Sequence, residues 1–290
     1  RGLGDVYKRQ RLDLLTHFSM QLVLALAPPF LILVITRRWR LASMAFVLLL
    51  VHTSRIVPLY LPRPSVEDSG FSLRAVSANL LHTNRNSDAF VELVRHDNPD
   101  FLLAMELNDS WLSRLAPSEA RYPHRVVRTR PDAFGIGLFS RLPIKDYRIE
   151  WLGDAEVPSI IATLEWDARE LTVFGVHTLP PVSQQCSEQR NRQLAAAAEL
   201  AGRLPKPLIL LGDLNTTSWS PWFADLVRRS GLRDSRLGFG LQPSWPALPW
   251  PARIPIDHVL VSPELHIAQR SLGPPIGSDH RPVVFTVLPR

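Results

Sequence analysis

Hydrophobic and polar positions divide the chain into a strongly apolar N-terminal part and a longer part in which short apolar runs alternate with polar turns. Residues 20–36 form an uncharged, mostly apolar run, and residues 41–61 form a second run that is interrupted by His52 and Arg55. Three arginines lie in the four residues 37–40 between the runs. Since a membrane-spanning helix needs about 20 predominantly apolar residues, the pattern predicts a transmembrane helical hairpin.

This N-terminal membrane segment is assigned to residues 1–62. A buried helical hairpin of a water-soluble protein is the alternative, but the two runs offer almost no polar face to water. A secretory signal peptide is disfavoured because no small-residue cleavage pattern follows the first run. The chain begins without methionine and residues 1–10 match no pattern around them, so we expect the segment to be truncated upstream. Because positive residues concentrate in cytoplasmic loops, the arginine turn predicts that both ends of the hairpin lie outside the cytoplasm.

After this segment, the chain has the pattern of a globular domain. A Pro-rich, polar stretch over residues 63–70 predicts a linker, and the domain is expected over residues 71–290. Strands are predicted over residues 73–78, 100–105, 125–128, 135–139, 147–151, 159–165, 171–176, 207–211, 256–261, 266–271 and 282–287. Helices are predicted over residues 87–95, with Ser87 as N-cap, 111–115, 184–204 and 222–229. Many antiparallel strands with helices between them indicate an α+β sandwich in which two sheets pack face to face.

Composition restricts the functional classes. The 290 residues are 46% apolar, which supplies a sizeable core and excludes an intrinsically disordered protein. The single cysteine, Cys186, excludes an intrachain disulfide and a cysteine-built zinc site. Residues 1–70 hold nine Lys and Arg against four Asp and Glu, whereas residues 71–290 hold 24 against 23, so the net charge of +6 belongs mainly to the N-terminal part. A nearly neutral domain gives little support to non-specific binding of nucleic acid.

Polar residues lie at the ends of the predicted buried strands in six places. Singly, each would be explained as a cap or a turn residue. Six together indicate a site, because strand ends are rigid platforms for converging loops. The six places are Asn79, Glu106, His177, the pair Asp213 and Asn215, the pair Asp257 and His258, and the run Ser278-Asp279-His280.

These segments resemble the motifs of the endonuclease/exonuclease/phosphatase superfamily, the DNase-I-like fold, over about residues 72–288. Gly212-Asp-Leu-Asn215 and Ser278-Asp-His-Arg-Pro282 are the most specific of them. The apolar helices ahead of the domain resemble those of bacterial membrane-anchored members. The resemblance implies a four-layer α/β/β/α sandwich of the α+β class. It also implies hydrolysis of phosphodiester or phosphomonoester bonds with a divalent metal, usually Mg²⁺, with Mn²⁺ as a substitute.

The resemblance assigns the metal to oxygen ligands. Glu106 is the first-choice ligand, supported by Asn79 and by Asp279. These residue types suit a hard cation, which prefers oxygen donors, keeps several waters and needs only one or two carboxylates. Bound beside a phosphodiester, such a cation neutralises charge that would otherwise repel a nucleophilic water.

The resemblance also assigns the catalytic groups. His280, held by Asp257, suits a general base because imidazole titrates near neutral pH and a neighbouring acid fixes its tautomer. Asp213 would orient or deprotonate the attacking water, and the sequence leaves open which of these two residues is the base. Asn215 would donate to a phosphate oxygen, and His177 would stabilise negative charge on the phosphoryl group or on the leaving oxygen.

Two aromatic features depart from this pattern. His258 replaces the Tyr or Trp that some relatives carry after the aspartate, and it is interpreted either as lining the site or, preferably, as packing on its rim. Four of the eight tryptophans lie between residues 219 and 250, and Trp245 is on a loop close in sequence to the site. For Trp245, ordinary loop packing against the sandwich is the preferred interpretation, and a stacking platform for a base or a lipid anchor is the functional alternative.

The functional hypothesis is therefore a membrane-anchored, metal-dependent phosphodiesterase or nuclease of the bacterial inner membrane, with its domain on the periplasmic side. A catalytically inactive module that binds a phosphorylated ligand on the same fold is the alternative. A calcineurin-like metallophosphatase is disfavoured, because its Gly-Asn-His motif and additional metal-binding histidines are missing in the right order. The expected substrate is a phosphoester of nucleic acid or phospholipid, the expected partner is the membrane, and no protein partner is implied.

Overall fold

The computed structural model describes residues 16–62, 71–167 and 169–290, without the side chains of residues 117–119. The expected linker over residues 63–70 and the residues before 16 lie outside the described part of the chain. Within it, twelve strands form two six-stranded sheets, in the orders β11-β12-β1-β2-β4-β3 and β5-β6-β7-β8-β10-β9. The predicted two-sheet α+β sandwich is confirmed.

The strands and α-helices of the domain lie within three residues of their predicted bounds, apart from β9, which the sequence did not predict. The second N-terminal helix ends at Ile56, five residues before the end of the predicted apolar run. The strands are β1 Leu73–Asn79, β2 Phe101–Met105, β3 His124–Arg128, β4 Ile136–Ser140, β5 Ile144–Trp151, β6 Pro158–Trp166, β7 Arg169–Gly175, β8 Leu208–Asp213, β9 Arg233–Asp234, β10 Asp257–Val261, β11 Leu265–Leu272 and β12 Val283–Pro289. The helices are α1 Ser19–Ile35, α2 Trp39–Ile56, α3 Asp88–Asp97, α4 Asp109–Leu115, α5 Gln184–Arg203 and α6 Pro221–Ser230, with 3₁₀ turns at Val57–Leu59 and Ala116–Arg121.

Side-chain oxygens cap the N-termini of three of the domain helices. Asn108, Ser183 and Ser220 each accept a hydrogen bond from a backbone N–H in the first turn of α4, α5 and α6. These bonds satisfy donors that a helix start otherwise leaves without a partner. Ser87 precedes α3 as predicted, but its side chain makes no capping hydrogen bond because its backbone is already helical.

Apolar side chains divide the domain into four layers. The two sheets pack face to face over residues such as Leu103 and Ile160. Phe90 and Trp111 join α3 and α4 to the outer face of the first sheet. A corresponding cluster, which includes Leu194 and Phe223, joins α5 and α6 to the second sheet. The central strands are covered on both faces, and this explains why β2 and β4 are buried at every position rather than alternating.

The two N-terminal helices form an apolar pair that is largely open to the surroundings. The stretch Trp39–Leu59, which includes α2, has 21 residues, a mean hydropathy of 1.6 and 6% of its length buried, so it is long and apolar enough to cross a membrane. Helix α1 is shorter, with 17 residues and with Pro28 and Pro29 inside it. About 30 Å of hydrocarbon corresponds to roughly 20 helical residues, so length alone favours α2 over α1 as a spanning helix.

The apolar pair is joined to the domain near the ends of both helices. Gln21 Nε2 donates to the carbonyls of Pro251 and Arg253, at 2.8 and 3.0 Å. The Leu59 carbonyl accepts from Gly240 N at 2.7 Å. A buried cluster of Met20, Leu59, Trp219 and Leu241 lies between the helices and the domain. Helices and domain therefore share a packed, hydrogen-bonded junction.

Candidate active site

Strand pairing brings the predicted site residues to one end of the sandwich. Strands β1 and β2 are parallel with Asn79 opposite Met105, so Asn79 and the following Glu106 lie at the same edge. In the second sheet, Asp213 at the end of β8 pairs with Asp257 at the start of β10. His177 follows β7, which runs parallel to β8.

Asn79 links carboxylates from the two sheets. Its Nδ2 lies 3.0 Å from Glu106 Oε1 and 3.4 Å from Asp213 Oδ2. Its Oδ1 accepts from the backbone N–H of Leu81 at 3.1 Å. Asn79 thus presents its amide nitrogen to the carboxylates, and in this arrangement it holds Glu106 in place.

His82 is a site residue that the sequence analysis missed. Its backbone N–H and its Nδ1 lie 3.0 and 2.8 Å from Glu106 Oε2. Burial alone would raise the pKa of Glu106, but these hydrogen bonds from His82, together with the bond from Asn79, lower it below its usual range. Glu106 is therefore held as a carboxylate.

A turn in left-handed backbone makes this contact between His82 and Glu106. Leu81 has φ +57° and Glu106 has φ +57°, a region that residues with a Cβ seldom adopt. Such strain persists where the surroundings fix the conformation, and it is concentrated at functional sites. The sequence held a single signal that could have identified His82 as a site residue, namely its position three residues after Asn79 at the end of β1.

The imidazole of His280 lies between two carboxylates. Its Nδ1 is 2.9 Å from Asp257 Oδ2, and its Nε2 is 3.6 Å from Asp213 Oδ2. Burial favours the neutral ring, but the charges of Asp257 and Asp213 and the hydrogen bond to Asp257 prevail and raise the pKa of His280 to about 10. The ring is thus a cation at neutral pH.

Asp213 is the most central group of the site. Burial raises its pKa to about 7, against the lowering effect of the His280 charge. Its Oδ1 accepts from the backbone N–H of Asn215 at 2.9 Å, and His177 Nε2 lies 3.7 Å from its Oδ2. Every other predicted catalytic residue, including its cross-strand neighbour Asp257, therefore lies beside Asp213.

His177 is neutral in this setting. It is buried, and burial lowers its pKa to about 4 despite the nearby charge of Glu106. Its ring packs beside Phe134 with centroids 5.5 Å apart, and its Nδ1 is buried without a hydrogen-bond partner. A neutral imidazole beside Asp213 offers a hydrogen bond to an incoming oxygen without adding charge.

Asn215 is held in left-handed backbone at φ +45°. Its Nδ2 donates to the Thr178 carbonyl at 2.8 Å, and its own carbonyl accepts from the buried Arg190 at 3.0 Å. Arg190 comes from α5, so the longest domain helix helps to position this loop. The structure places the predicted phosphate donor next to Asp213 but with its amide nitrogen engaged.

Gly212 lets the two central strand ends approach each other. A Cβ at this position would come within 1.9 Å of the Val176 carbonyl oxygen, and its φ of +138° is strained for any other residue. The Asp213 carbonyl also accepts from Thr178 N at 3.0 Å. The glycine therefore sets the spacing between His177 and Asp213.

Asp279 lies on the exposed side of the site. Its Oδ2 accepts from Trp245 Nε1 at 3.0 Å, and the Trp245 ring is 6.3 Å from that of His280. The structure thus brings Trp245 to the site through a hydrogen bond to a predicted metal ligand.

His258 lies neither in the site nor on its rim. Strand residues alternate between faces, so His258 points away from its neighbour Asp257 and packs against Phe223 of α6 with ring centroids 4.5 Å apart. Its Nε2 donates to the Thr216 carbonyl at 2.8 Å. This burial corrects both interpretations that the sequence gave for His258.

The donor set suits a divalent cation. Within the described residues, the side-chain polar atoms of Asp213, Asp257 and His280 all lie within 4.8 Å of one another, and in this group the carboxylates, not the protonated imidazole, can bind a metal. Asp257 Oδ1 is buried without a hydrogen-bond partner, and Glu106 is a second buried carboxylate across Asn79. Clustered carboxylates with an unpartnered oxygen match the hard-donor preference of Mg²⁺ or Mn²⁺.

Comparisons with solved structures identify the fold. Danio rerio TDP2, solved in complex with a single-strand DNA product, has a TM-score of 0.64 at 18% identity and covers 75% of this chain and 99% of its own. An endonuclease/exonuclease/phosphatase from Beutenbergia cavernae has a TM-score of 0.60 at 18% identity, over 75% of this chain and 72% of its own. An endonuclease/exonuclease/phosphatase family protein from Bacteroides thetaiotaomicron has a TM-score of 0.58 at 19% identity, and the match covers 74% of this chain and 94% of its own.

The sequence comparison is more specific. No curated protein matches this chain significantly. The model of the Endonuclease/Exonuclease/phosphatase family, however, matches residues 76–280, which span the site from β1 to His280. With this match over most of its length and with the two-sheet sandwich of its structural relatives, the chain belongs to the endonuclease/exonuclease/phosphatase family.

Proposed function

We propose that the protein is a membrane-anchored, divalent-metal-dependent phosphodiesterase of the bacterial inner membrane. The observation that carries the proposal is the buried group of Asp213, Asp257 and His280, with Glu106 joined to it through Asn79. A catalytic group of this kind is what in-line hydrolysis of a phosphoester needs, since charge must be neutralised and a water must be aimed at phosphorus.

Glu106, with Asp279, would hold the metal, which we propose to be Mg²⁺ or Mn²⁺. Asn79, predicted as a further ligand, would act through Glu106 instead, because its amide nitrogen faces the carboxylates and its Oδ1 accepts from Leu81. When bound, the cation would neutralise negative charge on the phosphoryl oxygens. Asn79 and His82 would keep Glu106 in place through the hydrogen bonds described above.

The remaining groups act on water and phosphate. Asp213 orients the water and accepts its proton, a role supported by a pKa raised to about 7. The His280 cation, held by Asp257, donates to a phosphoryl oxygen. His177 and Asn215 complete the binding of the phosphoryl group.

The reaction is a hydrolysis. The water oxygen forms a bond to phosphorus, the bond from phosphorus to the leaving oxygen breaks, and the leaving oxygen takes up a proton. The products are a phosphomonoester and an alcohol.

Membrane anchoring is supported by the apolar pair α1 and α2. The turn between them carries Arg37, Arg38 and Arg40, at the opposite end of α2 from Leu59 and the domain junction. Positive charge at that turn favours its placement in the cytoplasm, with the domain on the periplasmic side. Alkaline phosphatase fused after Arg290 should be active in cells, and a fluorescent reporter that folds only in the cytoplasm should be dark. The reverse result would invert the topology.

Hydrolysis of bis(p-nitrophenyl) phosphate by the full chain in detergent tests the activity. We expect turnover with Mg²⁺ that is lost in Asp213→Ala. Turnover that survives this substitution would remove the assignment. Metal-independent binding of a phosphate ester without turnover would establish instead an inactive binding module.

A further inference from the structure

An apolar cavity adjoins the candidate active site. It has a volume of about 250 Å³, and Asn215 and Trp245 belong to both its wall and the site. The rest of the wall is formed by His17, Phe18, Pro180, Pro181, Val182, Ile254 and Ile256. At about 30 Å³ per water, the volume equals that of about eight waters, which suits a short segment of an apolar chain.

The wall is poor in hydrogen-bonding groups. Pro180 and Pro181 have no backbone N–H, and the N–H of Val182 is used by the Pro180 carbonyl at 2.9 Å. Ile254 and Ile256 contribute only apolar side chains to this surface. A polar group placed here would lose its bonds to water without replacement, whereas an apolar group would gain from leaving water.

The cavity lies where the chain enters the apolar helices. His17 and Phe18 immediately precede α1, and Gln21 in its first turn is bonded to the loop that also carries Trp245. Two apolar side chains of that loop are open to the surroundings, Leu248 at 55% and Trp250 at 56% exposure. Val182 on the cavity wall is 80% exposed. The apolar surface therefore extends from the catalytic group to the helix pair.

We propose that the substrate is a lipid phosphodiester whose apolar chain lies in this cavity while its phosphate lies at Asp213 and Asn215. The inference rests on the proposed phosphodiesterase activity and adds the class of substrate. A lipid held in a bilayer would reach the cavity from the side on which α1 and α2 leave the domain. The apolar chain of the lipid, next to its phosphate, is then recognised by burial rather than by hydrogen bonds.

Nucleic acid is the competing class, since a base could stack on Trp245. A base also presents donors and acceptors along its edge, and the proline and isoleucine wall has none to match them. The nearly neutral domain, with 24 basic against 23 acidic residues after residue 70, gives little attraction to a polyanion. The cavity therefore favours the lipid.

A series of p-nitrophenyl alkyl phosphodiesters with methyl, butyl and hexyl chains tests the inference. The full 290-residue protein is assayed in one detergent at a fixed concentration, and release of p-nitrophenol is followed. Each substrate is kept below the concentration at which it forms micelles. Burying one methylene corresponds to about a fourfold gain in binding. We expect kcat/KM to rise at least tenfold from methyl to hexyl.

Val182→Asp places a charge on the cavity wall, and it should reduce the hexyl-to-methyl ratio of kcat/KM about tenfold. Tyr147→Asp is the matched control, because Tyr147 is an exposed apolar side chain on β5, and it should leave the ratio as in the parent protein. Should the aspartate variant fail to accumulate, Val182→Ser supports the same comparison.

The outcomes separate this inference from the proposed activity. Hydrolysis of all three esters with no dependence on chain length would overturn the lipid assignment and leave the phosphodiesterase standing. Absence of hydrolysis even of the methyl ester would remove the phosphodiesterase itself. Faster hydrolysis of a dinucleotide than of the hexyl ester, lowered equally by Val182→Asp, would assign the cavity to a base and overturn the lipid proposal.

Discussion

His280 and Asp257 form a buried hydrogen-bonded pair, with His280 Nδ1 donating to Asp257 Oδ2 at 2.9 Å. Asp257 is itself positioned by its neighbours, because its backbone N–H donates to Ser244 Oγ at 3.3 Å and its carbonyl accepts from Arg270 at 3.4 Å. The pair fixes the imidazole so that Nε2 faces Asp213. Any change in Asp257 should therefore act through His280.

Asp257→Asn should lower kcat by about 10²–10⁴-fold, since the ring would lose both its orientation and the charge that keeps it protonated. Turnover of bis(p-nitrophenyl) phosphate measures this effect. Asp146→Asn on the exposed side of β5 removes a carboxylate elsewhere and should leave kcat unchanged. If kcat falls no further in Asp257→Asn than in the control Asp146→Asn, His280 needs no carboxylate partner.

Metal removal should abolish turnover, and excess Mg²⁺ or Mn²⁺ should restore it. Glu106→Gln should raise the half-activating Mg²⁺ concentration at least tenfold, because a neutral amide replaces the central carboxylate ligand. Glu170→Gln, an exposed residue of β7, is the control. Turnover that is insensitive to a chelator would contradict the proposed metal site.

His82→Ala should raise the half-activating Mg²⁺ concentration about 10–100-fold, as expected for loss of a group that orients a metal ligand. At saturating Mg²⁺, kcat should stay within about threefold of the parent value, because His82 bonds to Glu106 and would act through this metal ligand. A shift in kcat with an unchanged metal requirement would instead place His82 in the reaction itself. His96→Ala, an exposed histidine of α3, provides the matched control.

Asp234 and Arg236 form a buried ion pair behind the site, with Nη2 2.6 Å from Oδ2. Burial alone would raise the pKa of Asp234, but the charge and hydrogen bonds of Arg236 lower it well below 3.8. The stability that this carboxylate contributes is therefore fully present above about pH 4, and it is lost as the pH falls through the lowered pKa.

Asp234→Asn should destabilise the protein at pH 7 by about 3–5 kcal/mol, since it leaves a buried arginine without its counter-charge. Unfolding followed by tryptophan fluorescence should show a constant difference from the parent between about pH 5 and pH 7, because the lowered pKa keeps Asp234 ionised over this range. Asp225→Asn removes an exposed pair with Arg228 and should cost less than about 1 kcal/mol. A difference that disappears at neutral pH would contradict the ion-pair argument.

The sequence was sufficient to predict the strand ends that carry the site, because the signal for each end lies in a few neighbouring residues. Asp213 and Asn215 follow an uninterrupted apolar run, and such a run marks where a buried strand stops. Pairing of neighbouring strands then brings these ends together without any further information.

Other features depend on tertiary contacts, which no local pattern reveals. β9 has only two residues and lacks a recognisable period. His82 reaches Glu106 only through the left-handed backbone at Leu81. Arg270 lies in β11 like an outward-facing strand residue, and only the packed structure shows it buried against Ser235.

The junction between the helix pair and the domain has a practical consequence. Trp219 and Leu241 are 6% and 5% exposed because Met20 and Leu59 cover them. In a protein shortened to begin at residue 71, these side chains would face water and form an exposed apolar patch beside the loop that carries Trp245. Self-association of such a shortened protein would then reflect this uncovered surface and not the natural oligomeric state of the enzyme.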